Sequence, residues 1–192
     1  NDYGAAGFAD GSFYFLNDSG DIIYSGMAGD GAVVKGINIS NNGIYGSVHY
    51  GDSEKDFIKV VDIRKRKEKV FQLSQVHYVK TSMSVSDDGH VVFLDMDNLL
   101  ALNSSGRIRF RIDLPSKKPG FSALSVYDGI LSLSYTGADG FSRFYLLNDR
   151  GTILYSADFS DESFLDSKIV NDYIFLRGSR GLSVHNFFRG DM

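Results

Sequence analysis

One nine-residue segment occurs three times in this chain and superposes on itself without gaps. Residues 16–24 read LNDSGDIIY, residues 102–110 read LNSSGRIRF and residues 147–155 read LNDRGTILY. Each reads as strand, Asn-x-x-Gly turn, strand, with an aromatic four residues after the Gly. A degenerate fourth copy runs from Val61-Asp62-Ile63 through a basic turn to Val70-Phe71. The aromatic positions Tyr24, Phe71, Phe110 and Tyr155 are therefore 47, 39 and 45 residues apart. A four-stranded propeller blade takes roughly 40–50 residues.

A second series keeps the same step. Asn42-Gly43, Asp88-Gly89 and Asp128-Gly129 are tight-turn dipeptides between strand-like runs, and Asn171-Asp172 falls where the next is expected. Such turns need positive φ, which Gly and Asn tolerate. The runs between turns are rich in Val, Ile, Leu, Phe and Tyr at strand length. The best helical candidate, residues 62–72 (DIRKRKEKVFQ), lacks an apolar face and reads as a turn followed by a strand.

The expected fold is all-β, a β-propeller or propeller arc of four to five four-stranded antiparallel blades with incomplete blades at both ends. The blades are expected near residues 3–25, 33–73, 81–113, 122–157 and 164–188, within one domain spanning residues 1–192. The first holds three strands, the next three hold four each and the last holds three, 18 in all. An uneven count calls for an irregular ring, additional blades or self-association, because unpaired edges invite pairing.

Composition limits the chemistry. The 192 residues include no Cys and no Trp, which removes disulfides, zinc-thiolate sites and thiol nucleophiles. A hydrophobic fraction of 43% argues against disorder, a net charge of −4 gives no general reason to expect nucleic acid, and no apolar run is long enough to span a bilayer. The chain starts at Asn1, and two readings stay open: a removed targeting segment or an excised piece.

The pattern at residues 16–24, 102–110 and 147–155 resembles the blade repeat of the quinoprotein-like (PQQ-repeat) β-propeller superfamily. It departs from that repeat in having Tyr or Phe where the usual Trp stands. Quinone-dependent members use a tryptophan platform and paired cysteines around the cofactor, so the resemblance implies no cofactor here. It implies instead the cofactor-free propellers that serve as periplasmic or cell-surface scaffolds, and hence an extracytoplasmic location.

Local motifs point the same way. The Asn-x-x-Gly segments, with Asp18 and Asp149 two residues before Gly, read as structural turns rather than calcium or Asp-box sites. His49, His77, His90 and His185 fall at different strand phases and are not expected to converge on a metal. The run 64–69 (RKRKEK) reads as a solvated turn that guards a strand edge, and Arg189-Gly190-Asp191 as a chance tripeptide. Asp161-Glu162 and Asp52-x-Glu54 lie in loops with no partner implied. No nucleophile–base motif, phosphate loop or zinc helix is present, so no enzyme activity is expected.

Loop length is asymmetric. Residues 26–32, 51–56, 74–80, 115–121, 137–140 and 160–164 form longer loops on one expected face, opposite the tight turns. A face of long loops is where repeat proteins bind. His77, Tyr78, Lys80, Lys117, Lys118 and Phe121 are the candidate binding residues, with Asp52, Glu54 and Asp139 as acidic counterparts. The expected function is a non-enzymatic protein-binding or scaffolding module of a bacterial envelope or surface protein, with a protein or peptide partner on this face. The alternative is a carbohydrate-active or small-molecule-binding propeller with its site at the channel mouth.

Overall fold

The strands form because alternation and turn chemistry agree along the chain, and the structure, a computed structural model, describes residues 3–78, 80–115, 122–162 and 165–186. Among these there is no helix, and so none long and apolar enough to cross a membrane. The described residues form eighteen strands, which pair into five antiparallel sheets. The first holds β1 (Gly4–Gly7), β2 (Ser12–Leu16) and β3 (Ile22–Met27). The second holds β4 (Val33–Ile39), β5 (Tyr45–Gly51), β6 (Asp56–Asp62) and β7 (Lys67–Gln72). The third holds β8 (Met83–Val85), β9 (Val91–Asp95), β10 (Asn98–Leu102) and β11 (Ile108–Asp113). The fourth holds β12 (Ser122–Tyr127), β13 (Ile130–Thr136), β14 (Ser142–Asn148) and β15 (Ile153–Phe159). The fifth holds β16 (Leu165–Val170), β17 (Tyr173–Gly178) and β18 (Gly181–Asn186). Within each sheet the strands run in sequence order as a meander, so every connection is a local hairpin.

The repeated Asn-x-x-Gly segments share one hydrogen-bond pattern. The Asn148 side-chain oxygen accepts from the backbone amides of Arg150 at 3.0 Å and Thr152 at 2.9 Å, while the Gly151 amide donates to the Asn148 carbonyl at 3.0 Å. Asn103 does the same with Ser105 and Arg107, and Asn17 with Ser19 and Asp21. Gly20, Gly106 and Gly151 have φ of 85°, 76° and 82°, the left-handed region that a Cβ disfavours.

The second turn series differs from expectation at two of its members. A two-residue hairpin occurs at Asp128-Gly129 and at Asn171-Asp172, between the paired residues Tyr127 and Ile130 and between Val170 and Tyr173. At Asn42-Gly43 and Asp88-Gly89 the turn is longer. There the glycine amide reaches back three residues to Ser40 or Ser86, and the serine hydroxyl accepts the amide of Tyr45 or His90. A serine at the turn start permits this wider loop because its hydroxyl replaces a backbone acceptor. β7 also starts earlier than expected, taking in Lys67 and Glu68, because an outer strand can carry charge on its exposed side.

Backbone contacts gather the chain into two compact units: Asn1–Asp95 with Leu99–Phe110, and Met96–Asn98 with Arg111–Met192. In the first unit the core lies between successive sheets. Phe13 and Phe15 of β2, both fully buried, pack with Tyr24 against Val48, Tyr50, Val61 and Ile63 of the second sheet and its flank. Ile58 and Val60 pack in turn on Met83, Val91, Phe93 and Leu102. Close approach is built in at Gly46, where a Cβ would lie 2.2 Å from Phe15 Cζ. In the second unit Phe144 and Leu146 meet Leu165, Ile169, Ile174 and Leu176 of the fifth sheet. Sheets stacked face to face through apolar residues, with tight turns at their ends, are the packing of propeller blades.

Candidate functional site

In the first unit, two of the longer loops are tied together by a buried polar cluster. Asp56 opens β6 immediately after the loop at residues 51–56, and its side chain has no exposure. One of its oxygens accepts from Lys35 Nζ of β4 at 2.5 Å. The other accepts from His49 Nε2 of β5 at 3.0 Å and from the His77 backbone amide at 2.7 Å. Lys35 also donates to the His77 carbonyl at 2.9 Å and to the Asp52 carbonyl at 3.5 Å. His77 Nε2 donates to Asp95 Oδ1 at 3.1 Å, and the Ser74 amide donates to Asp95 Oδ2 at 3.0 Å. The loop that leaves β7 is thereby held to β4, β6 and β9.

The protonation pattern follows from these partners. His49 Nδ1 accepts the Thr81 amide at 3.3 Å, so its other nitrogen carries the proton and the ring is neutral. Burial, opposed by Asp56, holds the His49 pKa below its ordinary value. Burial pushes the Asp56 carboxyl up, but hydrogen bonds from Lys35, the His77 amide and His49 outweigh it and leave the group more acidic than usual. Asp95 follows the same balance, with His77 and Ser74 outweighing burial. Among the described residues no group of three metal-ligating side chains is placed to hold an ion.

Two of the four histidines come together despite their different strand phases. The rings of His49 and His77 meet edge to face, with centroids 5.7 Å apart. They are 28 positions apart in sequence and differ in strand phase, but the end of β5 and the loop after β7 lie at the same end of one sheet.

The other candidates divide as follows. Tyr78, next to the anchored His77, is 93% exposed. Lys80 lays its stem along Gly36, where a Cβ would come within 3.0 Å of Lys80 Cγ. The Asp52 side chain accepts the amides of Glu54 and Lys55, shaping the 51–56 loop, and Glu54 is exposed. Asp139 belongs to the second unit, where it forms a two-point pair with Arg143 that pulls its pKa down to about 2. Arg143 in turn lies 5.7 Å from the Phe141 ring centroid and 6.0 Å from that of Tyr135. Lys117, Lys118, Phe121 and the Arg189-Gly190-Asp191 tripeptide lie outside the described residues.

Some groups now have partners that the sequence does not imply. Asp161 pairs with Arg180, and Glu162 accepts the amide and hydroxyl of Ser179, each at 2.6 Å. Lys59, in the middle of β6, is 5% exposed; it donates to Glu68 at 2.8 Å and to the Met27 carbonyl at 2.7 Å and lies over Phe13 and Tyr50. Tyr24 donates to the other Glu68 oxygen, and burial with that carboxylate pushes its pKa up to about 12. This cluster clamps the first sheet to the second. The second unit also contains an apolar cleft of about 830 Å³, lined by Phe144, Leu146, Tyr155, Leu165, Leu176 and Leu182 among others.

No family model matches the chain, and no curated protein matches it. Solved structures do match its fold. Hydrazine synthase of Kuenenia stuttgartiensis is similar with a TM-score of 0.63 at 11% identity, covering 94% of this chain and 58% of that one. The structure described as BBS1N in complex with ARL6DN has a TM-score of 0.64 at 13% identity, over 96% of this chain and 61% of that one. The Dos1 propeller has a TM-score of 0.58 at 11% identity, over 96% of this chain and 56% of its own. The chain thus spans somewhat over half the length of these relatives, and what it shares with them is the β-propeller fold.

Proposed function

We propose that this chain is a non-enzymatic protein-binding propeller module, and that its partner docks on the loops at residues 51–56 and 73–78. One observation carries the reading. Tyr78 is almost fully exposed, yet its neighbour His77 is fixed by three hydrogen bonds to buried or nearly buried groups. Burying Lys35, Asp56 and Asp95 costs solvation free energy, and the arrangement gives a surface loop one conformation. A rigidly presented aromatic is the common anchor of protein interfaces, because it covers apolar area with little loss of side-chain freedom. One of the similar structures is of BBS1N in complex with ARL6DN, and a protein partner for this chain is in keeping with it.

The finer assignment to the quinoprotein-like repeat rests on the turn segments at residues 16–24, 102–110 and 147–155, and the envelope setting rests on that resemblance. Cell fractionation checks the setting, since recovery in the cytosol would overturn it. The docking surface is checked by placing a photo-crosslinker at position 78 and, separately, by pull-down with Tyr78→Ala. Loss of an interface anchor weakens binding by about 2 kcal/mol or more, roughly thirtyfold. Equal recovery by wild type and Tyr78→Ala, with Tyr173→Ala as a control on another exposed aromatic, removes the surface from consideration.

A further inference from the structure

The cluster under the Tyr78 loop has the composition of an acid-sensitive latch. We propose that protonation of His49 releases the stretch carrying His77 and Thr81 from the β5–β6 corner, so that the loop is held in neutral solution and let go in mildly acidic solution.

The geometry carries this. His49 has no exposure, and both of its ring nitrogens are committed: Nε2–H to Asp56, and unprotonated Nδ1 to the Thr81 amide. A second ring proton can go only on Nδ1, where it would face the Thr81 N–H, donor against donor. The Thr81 hydroxyl is engaged elsewhere, donating to the Leu94 carbonyl. Asp56, from β6, is already paired with Lys35 of β4 at 2.5 Å, while Asp95 of β9 accepts a hydrogen bond from the His77 ring. A charged His49 would be a second cation on a carboxylate that Lys35 already neutralises, where neither the ring nor the carboxylate is exposed to solvent. Lys80 lays its stem beside Gly36. Releasing the loop is the relaxation that lets solvent reach Nδ1.

Burial keeps the imidazole less basic in the latched state than in the released one, in agreement with this direction. The released ring takes up its proton near the ordinary histidine value of about 6.5, so latching weakens as pH falls below that value. The buried carboxylates are lowered as well, and their effect begins only near and below their ordinary range of about 4. The two windows are therefore separate. Acid release of the Tyr78 loop as a control on partner binding rests on the function proposed above; the release itself does not.

The test is amide hydrogen exchange followed by NMR on the intact chain from pH 8 to pH 5, expressed as protection factors corrected for intrinsic rates. The His77 and Thr81 amides should lose protection by up to tenfold per pH unit below about 6.5, the limit for one linked proton. Amides of the β5–β6 ladder should keep theirs. In the same samples the His49 ring should titrate below the ordinary histidine value. His49→Gln, which keeps a donor and an acceptor but does not titrate, should abolish the pH dependence above pH 5. Constant protection of both amides across the range, or a His49 that titrates at or above about 6.5, overturns the latch whether or not the variant folds. Partner binding that fails while release is observed would count against the docking surface and leave the latch intact.

Discussion

At the scale of single residues, the repeat is a hydrogen-bond device. Asn148 satisfies two amides two and four residues ahead, and Gly151 supplies the positive φ that closes the turn. Asn148→Ala removes the oxygen that accepts both bonds in an exposed turn and should lower stability by about 1 kcal/mol, measured by chemical denaturation. Gly46 is constrained for another reason. Its φ is ordinary, but the Phe15 ring lies against the space where a Cβ would stand. Gly46→Ala should cost about 1–3 kcal/mol through overpacking of the inter-sheet core, and an unchanged denaturation midpoint would show that Phe15 can move aside. The turn glycines were legible in the sequence, since turn chemistry is set within five residues. Gly46 was not, because its constraint comes from a ring on another sheet.

At the scale of elements, polar groups join neighbouring hairpins where the apolar core ends. Asp56, at the start of β6, takes the loop after β7; Ser142, at the start of β14, donates to the Glu162 carbonyl at 2.9 Å in the loop after β15. The same strand position thus does the same job in both units with different chemistry. Asp56→Ala leaves Lys35 without its carboxylate in a largely buried setting and should destabilise the protein by about 3–5 kcal/mol. The pKa values of Asp56 and Asp95 are lowered by folding, so their contribution is present above their ordinary pKa of 3.8 and is lost as pH falls through and below it. A stability profile measured from pH 7 to pH 2 should show this loss in the wild type and a smaller one in Asp95→Asn. The candidate loops themselves could be found from sequence by their length. Their convergence on Asp56 and Asp95 could not, because neither carboxylate stands in a motif.

At the scale of the whole molecule, successive sheets within each unit share apolar cores rather than a single common one. Phe15 belongs to the core between the first and second sheets, and Phe93 to the core between the second and third. Each is fully buried, so Phe15→Ala and Phe93→Ala should each cost about 3–5 kcal/mol. Because the two cores have no buried residue in common, the double substitution should be additive to within about 0.5 kcal/mol. Strong non-additivity would mean that the second sheet transmits strain between its two faces. This layered packing explains why a repeat of about 43 residues recurs through the chain: one sheet covers only half of each neighbouring core, and the next must supply the rest.

The amino-acid sequence alone determined the strands, the turns and the period, because these depend on local hydrogen bonding and on alternation along the chain. Residues 122–127, 130–135 and 142–148 could be read as strands for that reason, and the chain folds them almost to the residue. Only the tertiary structure decided that His49 meets His77, that Lys35 and Asp56 pair beneath an exposed Tyr78, and that Lys59 is buried between two sheets. Those contacts join residues from different hairpins and loops. Their geometry is set by how the sheets stack and where their loops end, and that is information no single segment carries.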